Sequence, residues 1–361
     1  MKVGIITITI GENIGNKLQN YALQKVVKKY TNDCQTIKYG QEYKENLIKK
    51  ILKKTLFYNK YKYQLRRTDN FNQFLNNIEY SDFEISNDNI PIEKINKYDY
   101  FIAGSDQIWN LHYKENSKVF FLGFCDSSKK IAYAPSFGSA IIPDDVPENI
   151  KKWISEIKYL SVREEDGKNI VKKLTGRTDA EVLVDPTLLL DKDEWEKIAK
   201  KPKWYNNEKF ILNYFLGDLS EQRRKEIERV AKENGCKIIN ILDKNDPYYG
   251  CGPAEFLYLE KNAFLICTDS FHSSVFGFIF NRPFIIFERE EKNIVSMNSR
   301  LNNLINIFEL KNRKYDKEIT EENLKHDYSK SYLLLKEEQI KSKKFLENAL
   351  NIQNMGKENN G

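Results

Sequence analysis

The chain has 361 residues, 40% of them hydrophobic and 13% aromatic, and a formal net charge of +6. That length and composition suit two domains with separate cores and exclude a disordered polymer. No apolar run approaches the roughly 20 residues of a membrane span, and five scattered cysteines without a CxxC pair argue against zinc or disulfide frameworks. Met1-Lys2 leads directly into an apolar strand pattern with no signal-peptide layout, so a soluble cytoplasmic protein is expected.

Residues 3–10 read as a first strand. Gly11-Glu12-Asn13-Ile14-Gly15-Asn16 follows as a loop, then a helix over 18–30 with Leu18, Ala22, Leu23, Val26 and Val27 on its apolar face. The Gly11 and Gly15 spacing is not GxGxxG, so the loop suits an anion but carries no dinucleotide fingerprint. The next strand is expected at 35–39. Between Lys44 and Arg67 there are nine basic residues against one acid, Glu45, with Leu, Ile, Phe and Tyr interleaved. The plain reading is a solvated basic face; the functional one is peripheral contact with an anionic membrane surface. No nucleic-acid-binding motif accompanies the run, so no nucleic-acid partner is expected.

A helix near 70–77 precedes a strand at 98–103 that ends in Gly104-Ser105-Asp106-Gln107-Ile108-Trp109-Asn110. This stretch offers a carboxylate, amides and an aromatic face, a mixture suited to a sugar; the plain reading is a turn whose Trp109 packs into core. A strand at 130–134, a helix at 149–157, a strand at 159–163 and a helix at 166–174 come next. Arg163 stands at a strand end, where a guanidinium can take a carboxylate or phosphate in two-pronged fashion. The plain alternative is a salt bridge with Glu164 or Glu165.

Near residue 180 the pattern restarts, with strands at 181–184, 210–214 and 237–242 and helices at 221–234 and 254–262. Residues 264–267 then form an apolar strand that ends in Thr268-Asp269-Ser270-Phe271-His272, followed by a helical stretch over 273–280. A last strand is expected at 283–287 and a long amphipathic helix at 328–350. Strand, polar turn and helix put Asp269, Ser270 and one of three histidines where open α/β sheets bind ligands. A helix start also favours an anion. His272 is therefore placed to meet a phosphate or carboxylate and to move a proton. On the plain reading Asp269 and Ser270 cap the helix and His272 packs.

Several stretches, taken in order, give a stronger pattern. NIGNKLQNYALQ at 13–24, FIAGSDQIWN at 101–110, IAYAPSFGS at 131–139, LSVREEDG at 160–167, VLVDPTLLLD at 182–191, EFLYLEKNAFLICTDSFHSSVFGFIFNRPF at 255–284 and NSRLNNLINIFEL at 298–310 resemble the polysaccharide pyruvyl transferase family. The resemblance spans residues 3 to 345, and SDQIWN and TDSFHS are its most distinctive blocks. It implies an α/β fold similar to GT-B glycosyltransferases, two Rossmann-like domains facing across a cleft with a C-terminal helix crossing back to the first. The domains are expected at 1–175 on the acceptor side and 176–325 on the donor side, with the crossing helix at 326–350 and a flexible tail at 351–361.

The resemblance further implies phosphoenolpyruvate as donor, with no cofactor and no metal. The acceptor would be a hydroxyl pair on a sugar of a cell-surface polysaccharide or its lipid-linked precursor. The family's histidine falls on His272, as acid/base, and its arginine on Arg163, as donor ligand. Asp269 is expected to orient His272 or deprotonate the acceptor. Ser270, Ser273 and Arg300 join the expected donor site, and Asn13, Asp106, Gln107 and Trp109 the acceptor site. One departure stands out. Some family members carry Arg two positions before the histidine, where this chain has Ser270, so either the missing cation comes from Arg163, Arg282, Arg300 or Lys17, or the donor differs. Two other readings fit the same architecture: a nucleotide-sugar glycosyltransferase and a non-catalytic carbohydrate-binding subunit.

Overall fold

The computed structural model describes residues 1–40, 55, 57–112, 118–289 and 299–352. Of the basic stretch 44–67 expected to touch membrane, residues 44–54 and 56 lie outside these, as does the expected tail from residue 353 onward. Seven strands make one sheet: β1 (Lys2–Ile6), β2 (Asp33–Tyr39), β3 (Tyr80–Ile85), β4 (Tyr100–Ala103), β5 (Lys130–Ala132), β6 (Tyr159–Val162) and β7 (Glu181–Val182). Their order is β3-β2-β1-β4-β5-β6-β7, with every pairing parallel. Four more form a second parallel sheet, β8 (Phe210–Tyr214), β9 (Lys237–Asn240), β10 (Leu265–Thr268) and β11 (Phe284–Ile286), in the order β11-β10-β8-β9.

Parallel strands with helices on both faces bury both faces, which is why the central ones are near-continuous apolar runs. The alternation of side chains assigns each residue to a layer. Val3 and Ile5 of β1 and Ile102 of β4 enter one cluster, while Ile6, Phe101 and Ala103 enter the cluster on the opposite face. Leu212 of β8 and Ile266 of β10 belong to the same cluster as Val3 and Ile5. One apolar layer is thus shared by the two sheets.

The longer helices are α1 (Ile14–Val27), α2 (Tyr58–Leu75), α3 (Glu148–Ser155), α4 (Glu165–Thr175), α5 (Lys192–Ile198), α6 (Glu221–Glu233), α7 (Pro253–Asn262), α8 (Phe271–Ile279), α9 (Ser299–Ile307) and α10 (Ser329–Ala349). Helix α10 reaches the first unit. Its Gln339 donates to the Leu188 carbonyl at 2.7 Å, its Lys341 donates to the Val182 carbonyl at 2.7 Å, and Phe345 lies 6.3 Å from Tyr133. The same helix stacks Tyr332 on Phe278 of α8 at 5.1 Å.

Three elements differ from the sequence reading. Helix α2 begins at Tyr58, well before residue 70; its inward stripe is only Arg67, Phe71 and Phe74, so the apolar period is faint. Strand β3 was not expected, because an edge strand exposes polar residues such as Asp82 and Glu84 and its pattern is weak. Strand β7 pairs with β6, so the first sheet continues past residue 176, where the sequence pattern placed the second unit.

Helices α7 and α8 are bridged by a polar contact in the core. Ser273 donates to Glu260 at 2.6 Å, and Glu260 has no exposed surface. Burial pushes the Glu260 carboxyl well above the usual range, against the smaller opposing effect of Ser273. A raised native pKa gives stability that is complete below the unfolded value, about 4.3. It is lost by about 1.4 kcal/mol per pH unit as pH rises through the window up to the native value. Glu260→Gln keeps the acceptor for Ser273 and removes this slope. Denaturant melts at a series of pH values between 4 and 8 should show the variant gaining on the wild-type protein as pH rises; parallel curves would refute the assignment.

Candidate active site

In an open parallel sheet, the crevice for ligands opens where neighbouring strands send their connections to opposite faces. In the first sheet that point lies between β1 and β4, and in the second between β8 and β10. The two points face each other across a cavity of about 260 Å³. Asn13 and Gly15 enter it from the connection after β1, Asp106 and Gln107 from that after β4. Tyr214 and Leu216 come from the end of β8, Ser270, Phe271 and His272 from the end of β10, Arg289 from beyond β11 and Arg300 from α9.

His272 sits in the first turn of α8, where backbone N–H groups lack helical partners and the dipole favours negative charge. The ring is held from two sides. On one side lies Gly15, where a Cβ would come within 2.1 Å of His272 Nδ1. On the other, Nε2 faces Asp185 Oδ2 across 3.7 Å. Asp185 has no exposed surface. Its Oδ1 accepts from the Thr187 amide at 3.0 Å and the Thr187 hydroxyl at 2.7 Å, and its Oδ2 from Arg163 at 2.6 Å and Ser105 at 3.2 Å. Burial works against charge on Asp185, but the His272 ring, the Arg163 guanidinium and the Thr187 amide hold its carboxyl far below the usual range.

Arg163 stands one layer behind the cavity wall. Its guanidinium lies 4.7 Å above the Phe271 ring, and Asp106 and Glu164 each approach to 3.8 Å. Burial disfavours its charge, yet Asp185, Glu164 and Asp106 outweigh that and raise its pKa. Arg300 shows the opposite balance. Burial, then repulsion from Arg163, push its guanidinium down to about 10, so it remains cationic at neutral pH. Arg289 Nε lies 3.2 Å from Asp269 Oδ2. The cavity therefore presents guanidiniums, amides, a helix start and one imidazole, a set suited to an anion with hydroxyl-bearing company. Among the described residues no three metal-binding side chains converge.

The sequence model of the polysaccharide pyruvyl transferase family matches residues 13–291. The chain belongs to that family. Comparison with curated proteins returns no match. Among solved structures, UDP-GlcNAc 2-epimerase from Neisseria meningitidis bound to UDP-GlcNAc is similar at a TM-score of 0.50 and 11% identity, over 96% of this chain and 94% of that one. A Listeria monocytogenes protein assigned as a UDP-N-acetylglucosamine 2-epimerase is similar at 0.52 and 10% identity, over 95% of this chain and 91% of the other. The fold is GT-B-like. No described helix is long and apolar enough to cross a membrane.

His272, expected from the sequence as the acid/base, lies in the cavity with Ser270, Asn13, Asp106, Gln107 and Arg300. Asn13 also caps α1, accepting from the Asn16 amide at 3.0 Å, and Asp106 accepts from Asn16 Nδ2 at 3.3 Å. Other expectations need correction. Asp269 turns away from His272; its oxygens accept from the Leu216 and Gly217 amides at 2.7 and 2.8 Å, and Asp185 is the carboxylate beside the ring. Ser273 is fully buried against Glu260 and does not face the cavity. Trp109 is core: it has no exposed surface, donates to the Phe120 carbonyl at 3.0 Å and stacks on Phe121 at 5.3 Å. Lys17 is committed to the Thr9 carbonyl at 2.6 Å, and Arg282 is not among the residues lining the cavity. Sequence reasoning gave Gly15 only to an anion-binding loop and passed over Asp185 and Arg289 as site residues. The signals were present: Asp185 stands at the end of an apolar stretch before Pro186, and Arg289 follows the last strand.

Two outcomes test this geometry. Gly15→Ala adds a methyl where the imidazole sits, while alanine favours a helix by about 1 kcal/mol. The His272 imidazole resonances should move, and overpacking against a ring held on both sides, about 1–3 kcal/mol, should outweigh the helix gain and lower the melting temperature; an unmoved ring would contradict the packing. Asp185→Asn leaves Arg163 short of its closest counter-charge, a loss of about 3–5 kcal/mol. Because the native Asp185 pKa is depressed, its contribution is complete above the unfolded value near 3.9 and fades as pH falls below it. The acid limb of the wild-type stability curve should be steeper than that of the variant; equal limbs would refute the pairing.

Proposed function

We propose that this protein transfers a pyruvyl group from phosphoenolpyruvate to two hydroxyls on one sugar of a cell-surface polysaccharide or its lipid-linked precursor. Phosphate is released and a cyclic ketal remains. The observation that carries this reading is one cavity that gathers His272 at a helix start with Arg289 and Arg300. Family membership supplies the reaction class. The donor is a carboxylate and a phosphate on one small carbon frame, and two guanidiniums with a helix start can neutralise it.

In this reading His272 gives a proton to the donor's methylene carbon, and C2 becomes electrophilic. One acceptor hydroxyl adds to C2 and its proton returns to His272. The bond between C2 and the phosphate oxygen breaks as the second hydroxyl adds, and the proton of that hydroxyl leaves with phosphate. Donor plus diol equals ketal plus hydrogen phosphate, with no oxidation. An imidazole suits both transfers because it ordinarily titrates near neutrality. Asp185 would keep the ring oriented from the Nε2 side, and Asn13, Asp106 and Gln107 would take sugar hydroxyls.

A nucleotide-sugar transferase is the second reading, favoured by the fold shared with an enzyme bound to UDP-GlcNAc. Calorimetric titration of phosphoenolpyruvate and of UDP-GlcNAc into the wild-type protein and His272→Ala separates the two. Phosphoenolpyruvate should bind, and phosphate release with a suitable acceptor should drop about a hundredfold or more in the variant at unchanged melting temperature. Binding of UDP-GlcNAc alone would move the protein to glycosyl transfer. Binding of neither would favour a carbohydrate-binding subunit, and full turnover by His272→Ala would refute the mechanism.

A further inference from the structure

Helix α2 carries a surface that the cavity does not use. Tyr58, Lys62, Arg66 and Asp69 recur at helical spacing on one face, and with Lys203 and Trp204 opposite they wall a groove of about 430 Å³. Four cations line this groove against two carboxylates, Asp69 and Glu255, and Glu255 is engaged by Lys200 at 3.5 Å. Arg66 is stacked over Trp204 at 4.1 Å, which fixes its guanidinium in the groove. At the start of the helix Phe57 and Tyr58 are 50% and 51% exposed. Two exposed aromatic rings beside a row of cations are unfavourable as a plain aqueous face and favourable at a bilayer surface. There rings enter the headgroup layer and ammonium groups meet phosphates.

We propose that this face docks the protein on an anionic lipid bilayer. Phe57 and Tyr58 enter the interface, and Lys62, Arg66 and Lys203 take lipid phosphates. The choice of occupant rests on charge complementarity together with the exposed rings, since an acidic polymer would need the cations but not Phe57. The orientation follows from the next residue along the helix. Buried Arg67 donates to the Glu12 carbonyl at 3.1 Å, and Glu12 adjoins Asn13 of the cavity. Docking by α2 therefore holds the cavity on the inward side of this helix, about one helix diameter, ~10–12 Å, from the bilayer. This refines the reading above only in saying where the acceptor is met, and docking itself requires no transfer.

Flotation with vesicles of phosphatidylcholine, alone or mixed with phosphatidylglycerol, tests the proposal. The protein should float with the mixed vesicles only, and less as salt is raised. Lys62→Gln with Lys203→Gln should lower the partition about twenty-five-fold, at roughly fivefold per lysine, and Phe57→Ser should lower it further. Phosphoenolpyruvate titration into the same variants should be unchanged, so failure here and failure of the proposed reaction are distinguishable. No flotation, equal flotation on neutral vesicles, or variants that float like the wild-type protein would overturn the proposal. Retention on a soluble polyanion without vesicle binding would overturn it as well and assign the face to an acidic polymer.

Discussion

The contact between Asp185 and Arg163, 2.6 Å long and almost wholly out of water, is the joint on which the walls of the cavity depend. A pair this deep gains little stability over apolar side chains of the same volume, because both charges surrender their hydration. What it fixes is position. One carboxylate receives Ser105 from the connection after β4, Arg163 from the end of β6 and Thr187 from the chain after β7, and it faces His272 of the second unit. Arg163 in turn carries the Phe271 ring on its face and receives Asn303 of α9 on its carbonyl at 2.9 Å. Five separate stretches of chain, those of Ser105, Arg163, Asp185 with Thr187, Phe271 with His272, and Asn303, meet at a single charge pair.

Charge alternates outward from that joint. Asp185 and Arg163 compensate each other, and Asp106 and Glu164 stand next in line at 3.8 Å. Arg300 and Arg289 then reach the cavity, and both Arg163 and Arg289 repel Arg300. At neutral pH all three guanidiniums stay charged, so an arriving anion is attracted by each and also relieves their mutual repulsion. Asp106 and Glu164 offset part of this field at Arg300, and Glu164 Oε1 is held in place by Ser136 at 2.7 Å and the Phe137 amide at 2.9 Å.

How much of this could be read from sequence follows from which physical signal each part leaves. Strand, polar turn and helix around His272 make a local pattern, and the parallel sheet with its switch point gives that pattern a place. Side-chain direction is a different matter. Asp269 and Asp185 look alike in sequence, each at the end of an apolar strand, and only the packed structure shows that the first clamps the Leu216–Gly217 amides while the second meets the imidazole. Ser270 and Ser273 flank His272, but Ser270 is the N-cap with extended backbone, while Ser273 lies inside the first turn and ends on Glu260. Trp109 follows a polar loop, and composition cannot distinguish a stacking platform from a core indole whose N–H has found a carbonyl. Arg289 leaves no local motif, only its place after the last strand; it enters the cavity because β11 ends where the second sheet faces the first.

The two units are tied on both flanks of the cleft, and these ties bear on how the site can work. On one flank Arg67 of α2 donates to the Tyr249 and Cys251 carbonyls at 3.3 and 3.2 Å and to Glu12 at 3.1 Å, and Asn70 donates to the Gly250 carbonyl at 2.8 Å. Gly250 and Gly252 permit this contact, since a Cβ on either would meet Arg66 or Asn70 within 2.8 Å. On the other flank α10 joins the chain around Leu188 to Phe278. Between them runs the apolar layer common to both sheets. Opening the cleft widely would strip Arg67, buried beneath helix α2, of its carbonyl partners and expose part of that layer, each a cost on the scale of the whole molecule's stability.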